Sequence, residues 1–393
     1  MIDVAALRRD TPGCADLVHL NNAGAALPTR AVLDAVTGHL ELESRVGGYE
    51  AADAAARSVA AVYLSIAALV GASADDIALM GSATHAWQAA AYAVPLAAGD
   101  RVLVDHASYA STAIALLQLS RRSGCVVEVI PDDSFGQVDV TALGSMLDDR
   151  VRLVSVTHVP SQSGLVNPVA EVGALLRGSS AWYLVDGCQS AGQVEVDVRA
   201  IGCDIFAAAG RKYLRGPRGT GFLYASPRAR VELEPNVLDL HAAEWTSPSD
   251  YTVREDARRF EGWERSIALV LGLGVAVDQL LALGVEPVTS RIAEVAATLR
   301  ARLAEVPGVV VRDRGARLGG IVTFTVEGSD AFEVRDRLRA QRINVSASAR
   351  SVAQLDLGAR DLDAVVRASV HAYNTDDELA ALVDAVVALR PSR

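Results

Sequence analysis

The sequence predicts an α/β protein, with a large domain built on a mostly parallel, seven-stranded-type sheet and a smaller α+β domain after it. Three observations carry this. Short apolar runs alternate with helical ones from residue 77 to about 225. Those runs are apolar on both faces, as strands covered by helices on both sides must be. After residue 265 the alternation stops, and two long helices lead into short strands around a helix.

LVHLNNAG, ending at Gly24, reads as a short strand and a turn. Residues 28–44 are helical in pattern. RVGGYEAAD interrupts them with Gly47 and Gly48, and an Ala-rich helix follows over 52–69. IALM opens the alternating part and runs through a tight turn into a helix. RVLVD precedes a helix near 112–122, VVEVI and VRLVSVT are strands, and a helix near 169–177 follows. AWYLVD and DIFAAAG are strands, the second running into the Gly-rich hairpin GPRGTG. SIALVLGLGVAVDQLLAL and residues 288–305 are helices; VVVRDR, GGIVTFTVEG, a helix at 330–340, INVSAS and VVRASVHAYN form the small domain. Thr375, with Glu378 three residues on, reads as a capping box for the last helix. The expected division is 1–25 packing on the small domain, 26–265 as the large domain, and 266–393 as the small domain with a linking helix at its start.

The 393 residues are half apolar, and the formal charge is -11, with no basic block. That balance repels nucleic acid. Cys14, Cys125, Cys188 and Cys203 are far apart and lack metal-ligand spacing, so no metal is expected. The N-terminal MIDVAALRRDTPG lacks the apolar run of a signal peptide, and the longest apolar stretches carry glycines, prolines or charges. A cytoplasmic protein with no membrane association is the expectation.

Ligand sites in parallel sheets lie beyond the carboxyl ends of the strands. Chemistry-bearing residues gather there: Asp186 ends AWYLVD, Gln189 lies three residues on, and Lys212 follows DIFAAAG. A carboxylate and a lysine converging on one crevice suit pyridoxal phosphate. The lysine binds the aldehyde, the carboxylate keeps the pyridine nitrogen protonated, and a helix start cradles the phosphate. Gly81-Ser82-Ala83-Thr84 offers that start. Taken singly, Lys212 reads as a solvated lysine, Asp186 as a turn residue and Tyr109 as packing.

The combination VDGCQSAG, AAGRKYLRGPRGTGFLY, ARRFEGWE and RASVHAYNT resembles the class V aminotransferase family of fold-type I pyridoxal-phosphate enzymes, over nearly the whole chain. The resemblance implies roles. Lys212 corresponds to the lysine that binds the aldehyde, Asp186 to the partner of the pyridine nitrogen, and Gln189 to the neighbour of the phenolic oxygen. Ala83 and Thr84 match the phosphate cup, Tyr109 the ring stacked on the cofactor, and Arg211 a phosphate-contacting residue. Arg367 matches the arginine that pairs with the substrate α-carboxylate. Asn22 and the Gly47-Gly48-Tyr49 turn resemble elements of the substrate entrance. Three departures stand out. Ser161 replaces a frequent Asn, Ala209-Gly210 replaces a Ser or Thr, and RFEGWE lacks a Gly-Thr whose Thr reaches the partner subunit's phosphate. A homodimer is the family's expectation.

Such a site labilises bonds at the substrate α-carbon, and the outcomes are β-elimination, transamination and epimerisation. A cysteine desulfurase needs a mobile nucleophilic cysteine in the C-terminal domain, and INVSASARSVAQLDLG has none. The VGGYEAAD and RFEGWE segments resemble the branch holding lyases of cysteine S-conjugates and the ergothioneine-pathway sulfoxide lyase, beside relatives of secondary metabolism and isopenicillin N epimerase-like proteins. The expectation is therefore a C–S β-lyase, with aminotransferase or epimerase as the alternative. An aminotransferase using glutamate needs a second carboxylate-binding arginine; Arg45, Arg215, Arg218, Arg254 and Arg350 are the candidates. Trp87 and residues 241–256 are expected to shape the substrate pocket. The intact Lys212, Asp186 and Arg367 argue against a fold kept only for binding.

Overall fold

A computed structural model describes residues 2–389. Seven strands form the large sheet: β1 (Ile77–Met80), β2 (Arg101–Asp105), β3 (Val126–Ile130), β4 (Val151–Thr157), β5 (Trp182–Asp186), β6 (Ile205–Ala209) and β7 (Gly221–Ala225). Their spatial order is β1-β7-β6-β5-β4-β2-β3. The β6-β5-β4-β2-β3 run is parallel, and β7 is antiparallel to both β1 and β6. Every residue of β6 and β7 is buried, so both faces of the sheet are covered.

Four strands form a second, antiparallel sheet: β8 (Val309–Val311), β9 (Ile321–Val326), β10 (Ser346–Ala349) and β11 (Ala364–Ser369), in the order β8-β9-β11-β10. The N-terminal segment belongs to this end. Val18–His19 pairs in parallel with Ile343–Asn344, and Asn21 bridges Ser369. The Thr375–Glu378 capping box forms as read.

Three helices brace the sheet. α1 (Arg30–Val46) and α2 (Gly48–Val70) meet at Gly47, whose φ of 100° no ordinary side chain adopts easily. The expected interruption is thus one residue wide. α5, spanning Ile267–Leu283, packs across both; between them lie α3 (Ala83–Ala93) and α4 (Ala110–Ser123). Gly274 makes the close crossing possible, since a Cβ there would stand 2.6 Å from Val62 Cγ2. α2, at 23 residues with mean hydropathy 1.5 in its most apolar window, is long and apolar enough to cross a membrane. Its apolarity has a packing cause: Val62, Ile66, Ala67 and Val70 are buried in the core.

The RFEGWE stretch is anchored by Glu261, whose side chain is inaccessible to water. Its carboxylate accepts from Tyr63 Oη (2.8 Å), Leu79 N (2.6 Å), His241 Nε2 (2.9 Å) and Arg265 Nη1 (2.6 Å). Removing it strands Arg265 and the Leu79 amide. Glu261→Leu is expected to cost about 3 kcal/mol in urea unfolding.

Candidate active site

The parallel strands end on one line, with Asp105, Thr157 and Asp186 at the carboxyl ends of β2, β4 and β5. Beyond them opens a cavity of about 330 Å³. Ala83, Thr84, Tyr109, Ser161, Asp186, Gln189, Arg211, Lys212 and Arg367 all line it. The topology thus brings together nine of the eleven residues singled out from the sequence.

Each is held by local structure. α3 begins at Ala83, and Ser82 caps it, its hydroxyl accepting from His85 N. The unpaired N–H groups of Ala83 and Thr84 therefore sit at a helix start, a place suited to a phosphate. Asp186 ends β5 and accepts from Cys188 N at 2.9 Å. Burial pushes its pKa up, while that amide and the Lys212 charge oppose the shift. Gly187 must be glycine, because a Cβ there would lie 1.9 Å from the Phe206 ring. Lys212 Nζ points inward and donates to Cys188 Sγ at 3.0 Å. Tyr109 is the residue before α4 and stands on the rim, partly exposed.

Gln189 Nε2 donates to Ala23 O and Ser161 Oγ, each at 3.0 Å. Its Oε1 is buried with no partner. Arg367 lies mid-strand in β11, paired between Thr323 and Ser346. Its Nη1 donates to Ser161 O (2.9 Å) and its Nη2 to Asn21 Oδ1 (3.1 Å), while Nε is buried without a partner. Burial depresses its pKa, so the site holds a cation that an anion would stabilise.

These residues fit pyridoxal phosphate. An amine and a buried carboxylate share one cavity, a helix start faces it, and buried polar atoms await a ligand.

Some expectations need correcting. Asn22 does not line the cavity. It is fully buried, its Nδ2 donates to Ser369 O at 2.7 Å, and Tyr373 Oη donates to its Oδ1. It ties the N-terminal segment to the small sheet, and its neighbour Asn21 meets Arg367 instead. Tyr49 is 71% exposed in the first turn of α2, against Trp263. Gly48 and residues 241–256 likewise stand away from the cavity, whereas Trp87 lines it and donates to Ser155 Oγ at 3.3 Å.

The five candidate second arginines also lie elsewhere. Arg45 donates to Glu41 O on the surface, Arg254 pairs with Asp256 and Arg350 with Asp361. Arg215 turns away to Leu27 O and Thr11, with its guanidinium over Tyr373. Arg218 is exposed. None lines the cavity. Residues 346–352, which contribute Ser346, Ala347, Ser348 and Val352 to its wall, hold no cysteine.

Sequence reading missed Asp105, Cys188 and Asn21. Asp105 had a signal, since it ends RVLVD as Asp186 ends AWYLVD. It is buried behind the cavity, accepting from Ser108 Oγ (2.7 Å), Thr157 Oγ1 (3.3 Å) and Asn167 Nδ2 (3.4 Å). Burial pushes its pKa up to about 7. Between pH 4 and 7 the folded state then keeps a proton that the unfolded state has lost. Stability falls across that window by about 1.4 kcal/mol per pH unit from this group. Urea unfolding at pH 5 and 7 should show the decline, and Asp105→Asn should remove that share of it.

Comparison with known proteins bears on these features together. Residues 18–382 match the family model described as Aminotransferase class-V. A probable cysteine desulfurase of Methanothermobacter thermautotrophicus is 30% identical, over 95% of this chain and 94% of its own. The solved cysteine desulfurase CsdA of Escherichia coli superposes with a TM-score of 0.91 at 22% identity, covering 98% of each chain. The cystine C–S lyase C-DES, solved with its product cysteine persulfide, superposes with a TM-score of 0.88 at 22% identity, covering 97% of this chain and all of that one.

Proposed function

From the premise that the chain belongs to the class-V aminotransferase family and depends on pyridoxal phosphate, we propose that it cleaves the C–S bond of a cysteine-type amino acid as a β-lyase. The substrate is a cysteine S-conjugate or its sulfoxide, and the products are a thiol or sulfenate, pyruvate and ammonia.

The bound cofactor supplies an electron sink for the α-carbon. The chain's residues do the rest. Arg367 binds the α-carboxylate, with Ser161 O and Asn21 Oδ1 fixing its plane. Lys212 Nζ, which would hold the cofactor's aldehyde, is the base placed to take the α-proton. Asp186 would hold the charge of the cofactor's ring nitrogen, and Gln189 with Ser161 would hold its phenolic oxygen. The sulfur substituent leaves with its electron pair.

The observation that carries the choice is the absence, among the described residues, of any arginine in the cavity beyond Arg211 and Arg367. With Arg211 assigned to the phosphate, no further arginine among the described residues lines the cavity for the distal carboxylate of glutamate or 2-oxoglutarate. Elimination needs none. The relatives' names support C–S chemistry, and the Ser346–Val352 wall offers no thiol to receive sulfur. We further read the exposed Val231, Val237, Leu240, Trp245 and Tyr251 as a contact face for a second copy of the chain.

The test is to supply an S-alkyl cysteine and its sulfoxide without any oxo-acid. Equimolar pyruvate and ammonia are expected. Conversion of the cofactor to its amine form without pyruvate favours an aminotransferase, racemised substrate favours an epimerase, and alanine from free cysteine favours a desulfurase.

A further inference from the structure

The cavity holds a thiol that the proposed reaction does not use. Cys188 follows Asp186 by two residues, and the glycine between them fixes its direction, since Gly187 tolerates no Cβ against Phe206. Its amide is bound to Asp186 Oδ1, and its Sγ stands 3.0 Å from Lys212 Nζ. The residue is half-buried, and the surface it keeps faces the cavity. Cys125 and Cys203 are buried in the core by contrast. The same cavity contains Gln189 Oε1 and Arg367 Nε, both buried and unpartnered, so it is shaped to be filled.

We propose that Cys188 is a thiol-modification site whose access the cofactor controls, and that its modification by a small disulfide reversibly blocks cofactor loading. This reaches beyond the lyase reading and does not depend on it. A group that fills the cavity against Asp186 and Lys212 covers Cys188. With the cavity open, a disulfide reaches the thiol by the same mouth. Cys188 Sγ then bonds to one sulfur of the disulfide, the S–S bond breaks, and the departing sulfur takes the proton that Cys188 gives up. The disulfide is the oxidant. The attached group occupies the space between Asp186 and Lys212, and Lys212 Nζ loses its room. Burial pushes the thiol's pKa up while the Lys212 charge opposes it. Exchange is therefore slower than at an exposed thiol and speeds up with pH. Selectivity comes from access.

The test uses 2-hydroxyethyl disulfide on cofactor-free and cofactor-loaded protein, with peptide mass mapping of all four cysteines. In the cofactor-free protein Cys188 should carry the adduct. With cofactor at about 100 times its dissociation constant, labelling there should slow about 100-fold. The labelled protein should fail to develop the visible absorbance of lysine-bound cofactor, and dithiothreitol should restore it. Cys188→Ser should load equally well before and after the disulfide. Equal labelling of Cys188 in both forms overturns the proposal. So does an unlabelled Cys188 in the cofactor-free protein, or a labelled protein that still loads. No readout involves turnover, so failure here leaves the lyase reading intact, and failure of that reading leaves this one intact.

Discussion

Lys212→Ala should lose the visible absorbance of covalently held cofactor and lower turnover by about 10³- to 10⁴-fold. On the proposed mechanism two functions go at once: the amine that would fix the aldehyde, and the one lysine that lines the cavity among the described residues. No neighbour replaces it. Cys188 is the nearest side chain, and burial pushes its pKa up. An arginine guanidinium is no substitute base. The fold should survive, because Lys212 gives up one contact to sulfur and leaves no buried donor stranded. Cofactor should still bind, held by the α3 start and Asp186, and should be removable by dialysis. A small amine such as methylamine fits the space left by the side chain, and its addition should recover part of the proton transfer. Lys212→Arg should give no such recovery. Single-turnover pyruvate release, with and without the amine, separates loss of the base from loss of the site. Wild-type turnover in Lys212→Ala would remove Lys212 from the mechanism.

The sheet was legible because its strands are apolar on both faces and break at polar residues. Asp186 and Lys212 were legible for the same reason, each lying where a strand ends and a crevice must begin. What failed was orientation. Asn21 makes the bridge to Ser369 and Asn22 opens the turn that follows, so their side chains meet different neighbours. Only the pairing of residues 18–21 with the small sheet decides that Asn21 meets Arg367 while Asn22 is buried behind it. Tyr49 was assigned by its place beside a glycine turn. Gly47 instead lets α1 and α2 meet almost end to end and leaves Tyr49 on the surface. The five arginines were indistinguishable in sequence. Arg215 turns from the cavity because the N-terminal segment, remote in sequence, offers Leu27 O and Thr11 on the other side. The apolar length of α2 likewise has its cause far off in sequence, in packing against α5 some 200 residues on.

Arg367→Ala should leave the cofactor spectrum intact and lower kcat/KM by about 10²- to 10³-fold, with most of the loss in KM. Arg367 is only 7% exposed. Its burial has already been met in the folded protein by Ser161 O and Asn21 Oδ1, which satisfy one N–H each on Nη1 and Nη2. The remaining donors, including the unpartnered Nε, are the ones an α-carboxylate would take. Binding is strong because the carboxylate meets a cation already stripped of water. Arg367→Lys keeps the charge and loses the planar fork, so it should recover no more than about tenfold of the deficit. Asn21→Ala tests the positioning. It removes the Nη2 partner without touching the charge, lets the plane tilt, and should raise KM by a smaller factor, about fivefold to tenfold. The three variants should therefore rank alanine, lysine, Asn21→Ala in order of decreasing KM. A different ranking, or a loss confined to kcat with KM unchanged, would mean that the carboxylate is held elsewhere and that Arg367 serves the fold of β11.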